Sequence, residues 1–164
     1  HTMKTLRRKL RSRAGMTLTE LLAAMAVLAL PRTAIGAGTS AATRVYRQST
    51  TFSEAAVLAS TLTEAIADEL RYATDLPETD TSDPPFTSQT YGKGVSITNG
   101  IDDDEGHLMI GSHALVGSRT YTSGLTAVVD IEWKGKAFDV TLTINDASSV
   151  KQKEAKFSIA PINA

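Results

Sequence analysis

The feature that most constrains this chain is an abrupt change from a basic to an apolar segment near its N-terminus. Residues 11–30 read RSRAGMTLTELLAAMAVLAL. The basic run stops before Gly15, and no charge interrupts the apolar run from Leu21 to Leu30. One acid, Glu20, stands directly before that run, where a carboxylate in contact with lipid is costly and needs a partner. We expect the globular part of the fold to be built from the residues that follow this apolar segment.

The basic residues ahead of Gly15 conceal an acidic body. Residues 4–13 carry six of the 17 Lys and Arg side chains and no acid. The rest of the chain has 11 bases against 18 acids, a net charge of −7. We therefore predict no nucleic-acid partner from bulk charge. The chain has no cysteine, which excludes disulfides, thiolate zinc sites and cysteine nucleophiles.

Two interpretations fit the N-terminal segment. A basic run followed by an apolar run is the outline of an export signal, and a conventional peptidase would cut beyond it, near the small residues Ala34-Ile35-Gly36-Ala37. The alternative cut lies ahead of the apolar run, where Gly15 gives a protease access to the backbone without a side-chain clash. Met3 reads as the initiator, with His1 and Thr2 as tag residues added before it.

Gly15 followed by Met16-Thr17-Leu18-Thr19-Glu20 resembles the class III signal of type IV pilins and pseudopilins. The resemblance implies that a prepilin peptidase cuts after Gly15, methylates the new N-terminus at Met16 and leaves the apolar segment in place. In that family, the glutamate at the fifth position after the cut pairs with the methylated amine of the adjacent subunit. Glu20 is therefore implied to set the register of assembly, at a helix start where the helix dipole also favours an anion.

The chain departs from the family directly after this stretch. Pilins usually continue for about twenty apolar residues, the length that spans a bilayer. Here Pro31-Arg32 follows Leu30, and proline in a helix interior removes a hydrogen bond and bends the chain. Either a natural kink or an engineered change accounts for these two residues, and the sequence does not decide between them.

Helical and strand periodicities divide the rest of the chain. In residues 43–73, apolar side chains recur at steps of three and four and predict one amphipathic helix: Phe52, Ala55, Ala59, Leu62, Ile66, Leu70 and Ala73. Residues 74–92 contain three prolines and several acids, and they predict a long surface loop. Strands are predicted over 93–98, 107–111 and 114–122, then in an alternating hairpin of 125–133 and 138–144 turned at Lys134-Gly135, and last over 155–159.

These patterns predict an α+β protein in which a long N-terminal α-helix packs on an antiparallel β-sheet head, as in pilins. Residues 1–15 form the leader peptide, 16–42 the hydrophobic half of the helix, and 43–164 the globular head. The basic leader is expected to remain cytoplasmic. The chain would then be an inner- or cytoplasmic-membrane prepilin, held by its N-terminal helix, before it enters an extracellular filament at the cell surface.

A search for catalytic or metal-binding constellations finds little. No GxSxG or phosphate-binding glycine loop is present, and no enzyme activity or cofactor is predicted. A metal would find donors in Asp102, Asp104 and His107, or in His107 with His113, but an acidic turn and surface histidines explain the same residues. The acids Asp75, Glu78, Asp80 and Asp83 offer oxygen donors for calcium, but a solvated loop is the favoured explanation for them.

The predicted function is a structural subunit of a type IV pilus or a type II secretion-like pseudopilus. Its partners would be the prepilin peptidase and other pilin subunits, in a homo- or hetero-filament. Two rivals remain: a secreted or surface-anchored binding module with a conventional signal peptide, and a metalloenzyme using His107 and His113. The sequence does not separate pilus, pseudopilus and competence filament, nor a major from a minor subunit.

Overall fold

The structure, a computed structural model, describes residues 17–162, with the side chains of residues 29–37 left out. One α-helix in this range, α1, spans Leu18–Arg71 and contains 54 residues. The described strands are β1 (Thr81–Ser82), β2 (Phe86–Ser88), β3 (Gly92–Val95), β4 (Ile97–Asn99), β5 (Leu108–Ile110), β6 (His113–Ala114), β7 (Thr126–Trp133), β8 (Phe138–Asn145) and β9 (Lys151–Ile159). Contacts divide the chain into two units, His1–Tyr46 and Arg47–Ala164.

In the Arg47–Ala164 unit, one face of α1 is part of the core. The helix residues buried there are Ala55, Leu58, Ala59, Leu62, Ile66 and Leu70, followed by Ala73 just past the helix. The predicted stripe is wrong at Phe52, which is 52% exposed because burial of the helix begins only at Ala55. At the end of the helix, the carbonyl of Arg71 accepts the N–H of Ile162 at 2.8 Å, which satisfies one carbonyl of the last turn.

The main sheet has the strand order β1-β7-β8-β9, and every neighbouring pair is antiparallel. Alternate residues of β7 and β8 face the helix side and are buried, as the period of two in the sequence predicts. The predicted turn is confirmed: the N–H of Lys134 donates to the carbonyl of Ala137 at 3.0 Å, and Gly135 takes a φ of 74°. Helix and antiparallel strands share one hydrophobic core, so the α+β class is confirmed.

The predicted loop over 74–92 is wrong in part, because it contains β1 and β2. Phe86 is 1% exposed, and its ring packs edge-on against Phe138 with centroids 6.4 Å apart. Ser88 is also buried, and its hydroxyl donates to the Glu69 carboxylate at 2.7 Å. Phe86 and Ser88 lie in a strand of only three residues, among prolines, acids and threonines. A strand this short shows no recognisable alternation of apolar and polar residues.

Residues 93–122 differ from the predicted three strands. The first is split into β3 and β4, and the last is reduced to β6, after which Ser118–Thr120 form a 3₁₀ turn. That turn is followed by Tyr121, whose hydroxyl accepts the backbone N–H of Leu108 at 2.9 Å. Burial raises the pKa of the Tyr121 hydroxyl, and the hydrogen bond from Leu108 opposes this rise. A side chain that satisfies a distant backbone group thus replaces strand pairing here.

The turn between β8 and β9 is organised by Asp146. One carboxylate oxygen accepts the N–H groups of Ser148 at 2.8 Å and Val150 at 3.0 Å, and the other accepts the amide of Gln152 at 2.8 Å. Led by the bond from Val150, these donors hold the pKa of the Asp146 carboxyl below its ordinary value of 3.8. Asp146 thereby fixes where β9 begins.

We expect Asp146→Ala to destabilise the head at neutral pH, because the variant lacks the acceptor that orders this turn. A lowered folded-state pKa means that the contribution is complete above pH 3.8 and disappears as the pH falls through the folded-state value. Urea unfolding of both proteins over a pH series measures the difference. A gap between them that stays constant into strongly acidic solution would contradict this role.

Candidate functional site

The N-terminal end of α1 is organised by Thr17 and Glu20, which cap each other. The backbone N–H of Thr17 donates to Oε2 of Glu20 at 3.0 Å, and the Thr17 hydroxyl donates to the same oxygen at 3.2 Å. In return, the backbone N–H of Glu20 donates to Oγ1 of Thr17 at 3.3 Å. This reciprocal arrangement is the capping box, which satisfies amides that a helix start otherwise leaves without partners.

The capping box fixes the position of a carboxylate beside the predicted processing site. Thr17 follows Met16 directly in the chain, so the Glu20 carboxylate lies against the first amide after Met16. Gly15 and Met16 themselves lie outside the described residues. Among the described residues, Glu20 accepts its hydrogen bonds through Oε2, and Oε1 has no partner. The carboxylate can therefore accept a further donor or cation without losing its place on the helix.

A series of uncovered apolar side chains follows this carboxylate. They are between 46% and 77% exposed: Leu18, Leu21, Leu22, Met25, Val27 and Leu28. Apolar surface of this extent on consecutive helical turns usually marks an interaction site. In the described part of the chain, no helix combines the length and apolar character needed to cross a membrane.

Thr17 is the residue of this site that sequence reasoning missed. The signal was available, since Thr17-Leu18-Thr19-Glu20 has the S/T-x-x-E spacing that typifies a capping box ahead of an apolar run. From the sequence, Glu20 is related to the helix dipole and to a partner subunit, whereas its nearest hydrogen-bond partners in the structure are the amide and hydroxyl of Thr17. The structure gives Glu20 a local contribution to helix stability in addition to any contact with another chain.

The residues considered for a metal are not brought together. Asp102 and Asp104 begin and end an exposed 3₁₀ turn, which is closed by the N–H of Asp104 donating to the carbonyl of Ile101 at 3.1 Å. The His107 ring packs on Tyr121, with centroids 4.3 Å apart. Across the described ranges, no group of three or more His, Asp or Glu side chains is placed to hold a metal.

His113, the second histidine of the metalloenzyme hypothesis, lies on β6 and not beside His107. Its ring is 5.6 Å from that of Tyr91, and its Nδ1 is 3.4 Å from the hydroxyl of Ser112. Each histidine ring thus packs at a tilt against a different tyrosine.

Comparisons with known proteins give no indication of function. A functional proposal must therefore rest on the capping box and the exposed part of α1. No family model, no curated protein and no solved structure matches this chain. The geometry at Glu20, its place after Gly15 and Met16, and the exposed apolar turns therefore carry the argument.

Proposed function

We propose that the chain is a type IV pilin-like subunit of a pilus or of a type II secretion-like pseudopilus. It assembles through its N-terminal helix after a prepilin peptidase removes residues 1–15. The observation that carries the proposal is the run from Gly15 to Glu20, which has a small residue at the cut and a glutamate five positions after it. The α+β head and the exposed apolar turns of α1 support the same assignment.

Glu20 is the assembly residue in this proposal. Cleavage after Gly15 creates a positively charged amine on Met16, which the same peptidase then methylates. The Glu20 carboxylate of a neighbouring subunit accepts that amine through Oε1, the oxygen that the capping box leaves without a partner. A carboxylate buried in a filament core without a cation would cost several kcal/mol, so pairing favours one register between subunits.

The apolar turns after Glu20 supply the cohesion between subunits. Side chains from Leu18 to Leu28 leave a large apolar surface exposed in a single chain. Packing these turns together in a filament core removes that surface from water, at about 25 cal/mol per Å² of apolar area. The membrane holds the segment before assembly, and the head lies outside the filament core, where its polar sheet face remains hydrated.

Processing provides the test of this proposal. Co-expression with a prepilin peptidase should shorten the chain by residues 1–15, and Gly15→Val should abolish this cleavage because a branched side chain obstructs the backbone at the cut. Gly36→Val is the matched control, since it makes the same change at the site that a conventional signal peptidase would use. Mass measurement of the purified products reads out both variants.

The two interpretations of the N-terminal segment give opposite patterns. Cleavage that is lost in Gly15→Val and retained in Gly36→Val supports the pilin-like subunit. Cleavage that is retained in Gly15→Val and lost in Gly36→Val would indicate a secreted or surface-anchored binding module with a conventional signal peptide. That result would overturn the proposal.

A further inference from the structure

The two edges of the main sheet are treated differently, and the β7 edge is covered. β1 pairs with Trp133 and Glu132. Next along the strand, the N–H of Asp83 donates to the carbonyl of Ile131 at 2.8 Å. At Val129, the Asn99 side chain accepts the N–H at 2.7 Å and donates to the carbonyl at 3.0 Å, as a neighbouring strand would. Finally, Ala127 donates its N–H to Gly106 at 2.8 Å.

The β9 edge has no comparable cover. Within the described residues, β9 pairs with β8 along one side, and no strand lies on its other side. β9 is the longest described strand, with nine residues, and contains no proline. Exposed edges of this length are templates for pairing with another chain, and natural proteins usually block them. The contrast with the covered β7 edge suggests that β9 is left open for a partner.

We propose that the partner is a second copy of this chain, whose β9 pairs antiparallel with the first β9 about a two-fold axis at Ala155. The result is one continuous sheet formed from two main sheets. This contact involves no residue of the predicted processing site, so it goes beyond the proposed filament function and stands or falls independently of it.

The charges of β9 fit this register. With Ala155 opposite Ala155, Glu154 of each copy lies opposite Lys156 of the other, and directly opposed residues share one face of a sheet. Lys153 lies opposite Phe157, whose ring can cover the aliphatic part of the lysine side chain. Lysines on an edge strand normally prevent pairing between edges. In this register, however, no lysine of residues 153–157 faces another lysine.

The groove beside β9 fits the same partner. It has a volume of about 580 Å³ between α1 and β9, and its helix wall consists largely of small side chains, including Ala56, Ser60, Thr63 and Ala67. Small side chains allow close approach of a second helix. In the proposed two-fold dimer, that helix is α1 of the second copy. Lys153 and Ala155 line the strand side of the groove.

Two acids in the groove complete the charge match. Glu64 and Asp68 line the helix wall, where Asp68 already contacts Arg71 at 3.4 Å. Glu64 and Lys153 form no ion pair among the described residues. Lys151 and Lys156, in contrast, already contact Glu154 within the chain, at 2.6 Å and 3.1 Å. Pairing two β9 strands brings Lys153 of one copy toward Glu64 of the other, which offers each of these two side chains an ion pair that it does not form within one chain.

Single cysteines test the register, because the chain has no native cysteine. Directly opposed Cα atoms in antiparallel strands are about 4.5–5.5 Å apart, which is within the span of a disulfide. Ala155→Cys should therefore form a covalent dimer of the full chain on mild oxidation. Ser158→Cys is the matched control: it lies on the same strand, but its two copies would be roughly 20 Å apart, since a strand rises about 3.3 Å per residue.

We expect Ala155→Cys to cross-link at least about tenfold faster than Ser158→Cys, because only the first pair meets disulfide geometry. Equal rates would mean that chains collide without a fixed register, and this result would overturn the proposal. So would a purified Ala155→Cys chain that stays monomeric, which is the expected outcome if the edge serves an unrelated partner or none.

A charge exchange provides a second test in the Ala155→Cys background. Adding Glu154→Lys opposes lysines at two symmetric positions and should slow cross-linking about tenfold, since like charges directly opposite each other destabilise strand pairing. Adding Lys156→Glu to that variant should restore the rate. Cross-linking that ignores the first change, or fails to recover with the second, would contradict the Glu154–Lys156 pairing.

Discussion

Glu20→Ala is expected to remove the chain from filaments. The variant lacks the carboxylate that is proposed to pair with the Met16 amine of the next subunit, and removing one partner of a buried ion pair typically costs about 3–5 kcal/mol. A loss of that size reduces the subunit recovered from sheared surface filaments well beyond about tenfold, since 1.4 kcal/mol already corresponds to a factor of ten. Immunoblotting of the sheared fraction against total cell protein measures the loss.

Two companion variants separate the charge of Glu20 from its capping role. Glu20→Gln keeps a side chain that can cap the Thr17 amide but removes the charge, so we expect it to fail in assembly like Glu20→Ala. Thr17→Val keeps the charge and removes the hydroxyl of the cap, at a cost of about 1 kcal/mol to the helix start, and we expect it to enter filaments. If Glu20→Gln assembles as well as the parent, Glu20 serves the helix start alone.

Phe138→Ala is expected to destabilise the head by about 3–5 kcal/mol, the usual cost of deleting a buried aromatic ring. Phe138 is completely buried, and it contacts Trp133 and Phe86, with ring centroids 4.7 Å and 6.4 Å away. Its loss leaves a cavity where the β7–β8 hairpin meets the segment that follows α1. Urea unfolding followed by fluorescence of Trp133, the single tryptophan, measures the change.

Val128→Ala on β7 is the matched control for Phe138→Ala. Val128 lies on the opposite face of the same hairpin and is 44% exposed, so its truncation should change the free energy of unfolding by less than about 0.5 kcal/mol. A loss below about 1 kcal/mol in Phe138→Ala would show that the contacts around Trp133 contribute little to the core.

The sequence predicts the parts of this fold that follow a regular period. The β7–β8 hairpin alternates buried and exposed residues over both strands, so its faces and its turn at Lys134-Gly135 can be read directly. Phe86 cannot be read in this way, because β2 is only three residues long and follows Pro84-Pro85. Leu58 is buried, but the predicted helix stripe does not contain it and contains the exposed Phe52 instead.

Contacts between distant residues are the part that sequence reasoning could not supply. Asn99 covers the edge of β7 at Val129, thirty positions further along the chain, and no local pattern marks that asparagine. Tyr121 acts likewise on the backbone of Leu108. The capping box at Thr17 and Glu20 is different, since its signature lies within four residues and was available. The roles of Gly15 and Met16 remain predictions, because both lie outside the described residues.

The mature N-terminus of the subunit in native surface filaments tests the central claim most directly. Mass spectrometry of the N-terminal peptide should find a chain that begins at Met16, carries a methyl group on its amine and lacks residues 1–15. A chain that begins beyond Ala37 would contradict the account, because it would have lost Glu20 together with the apolar turns that are proposed to assemble.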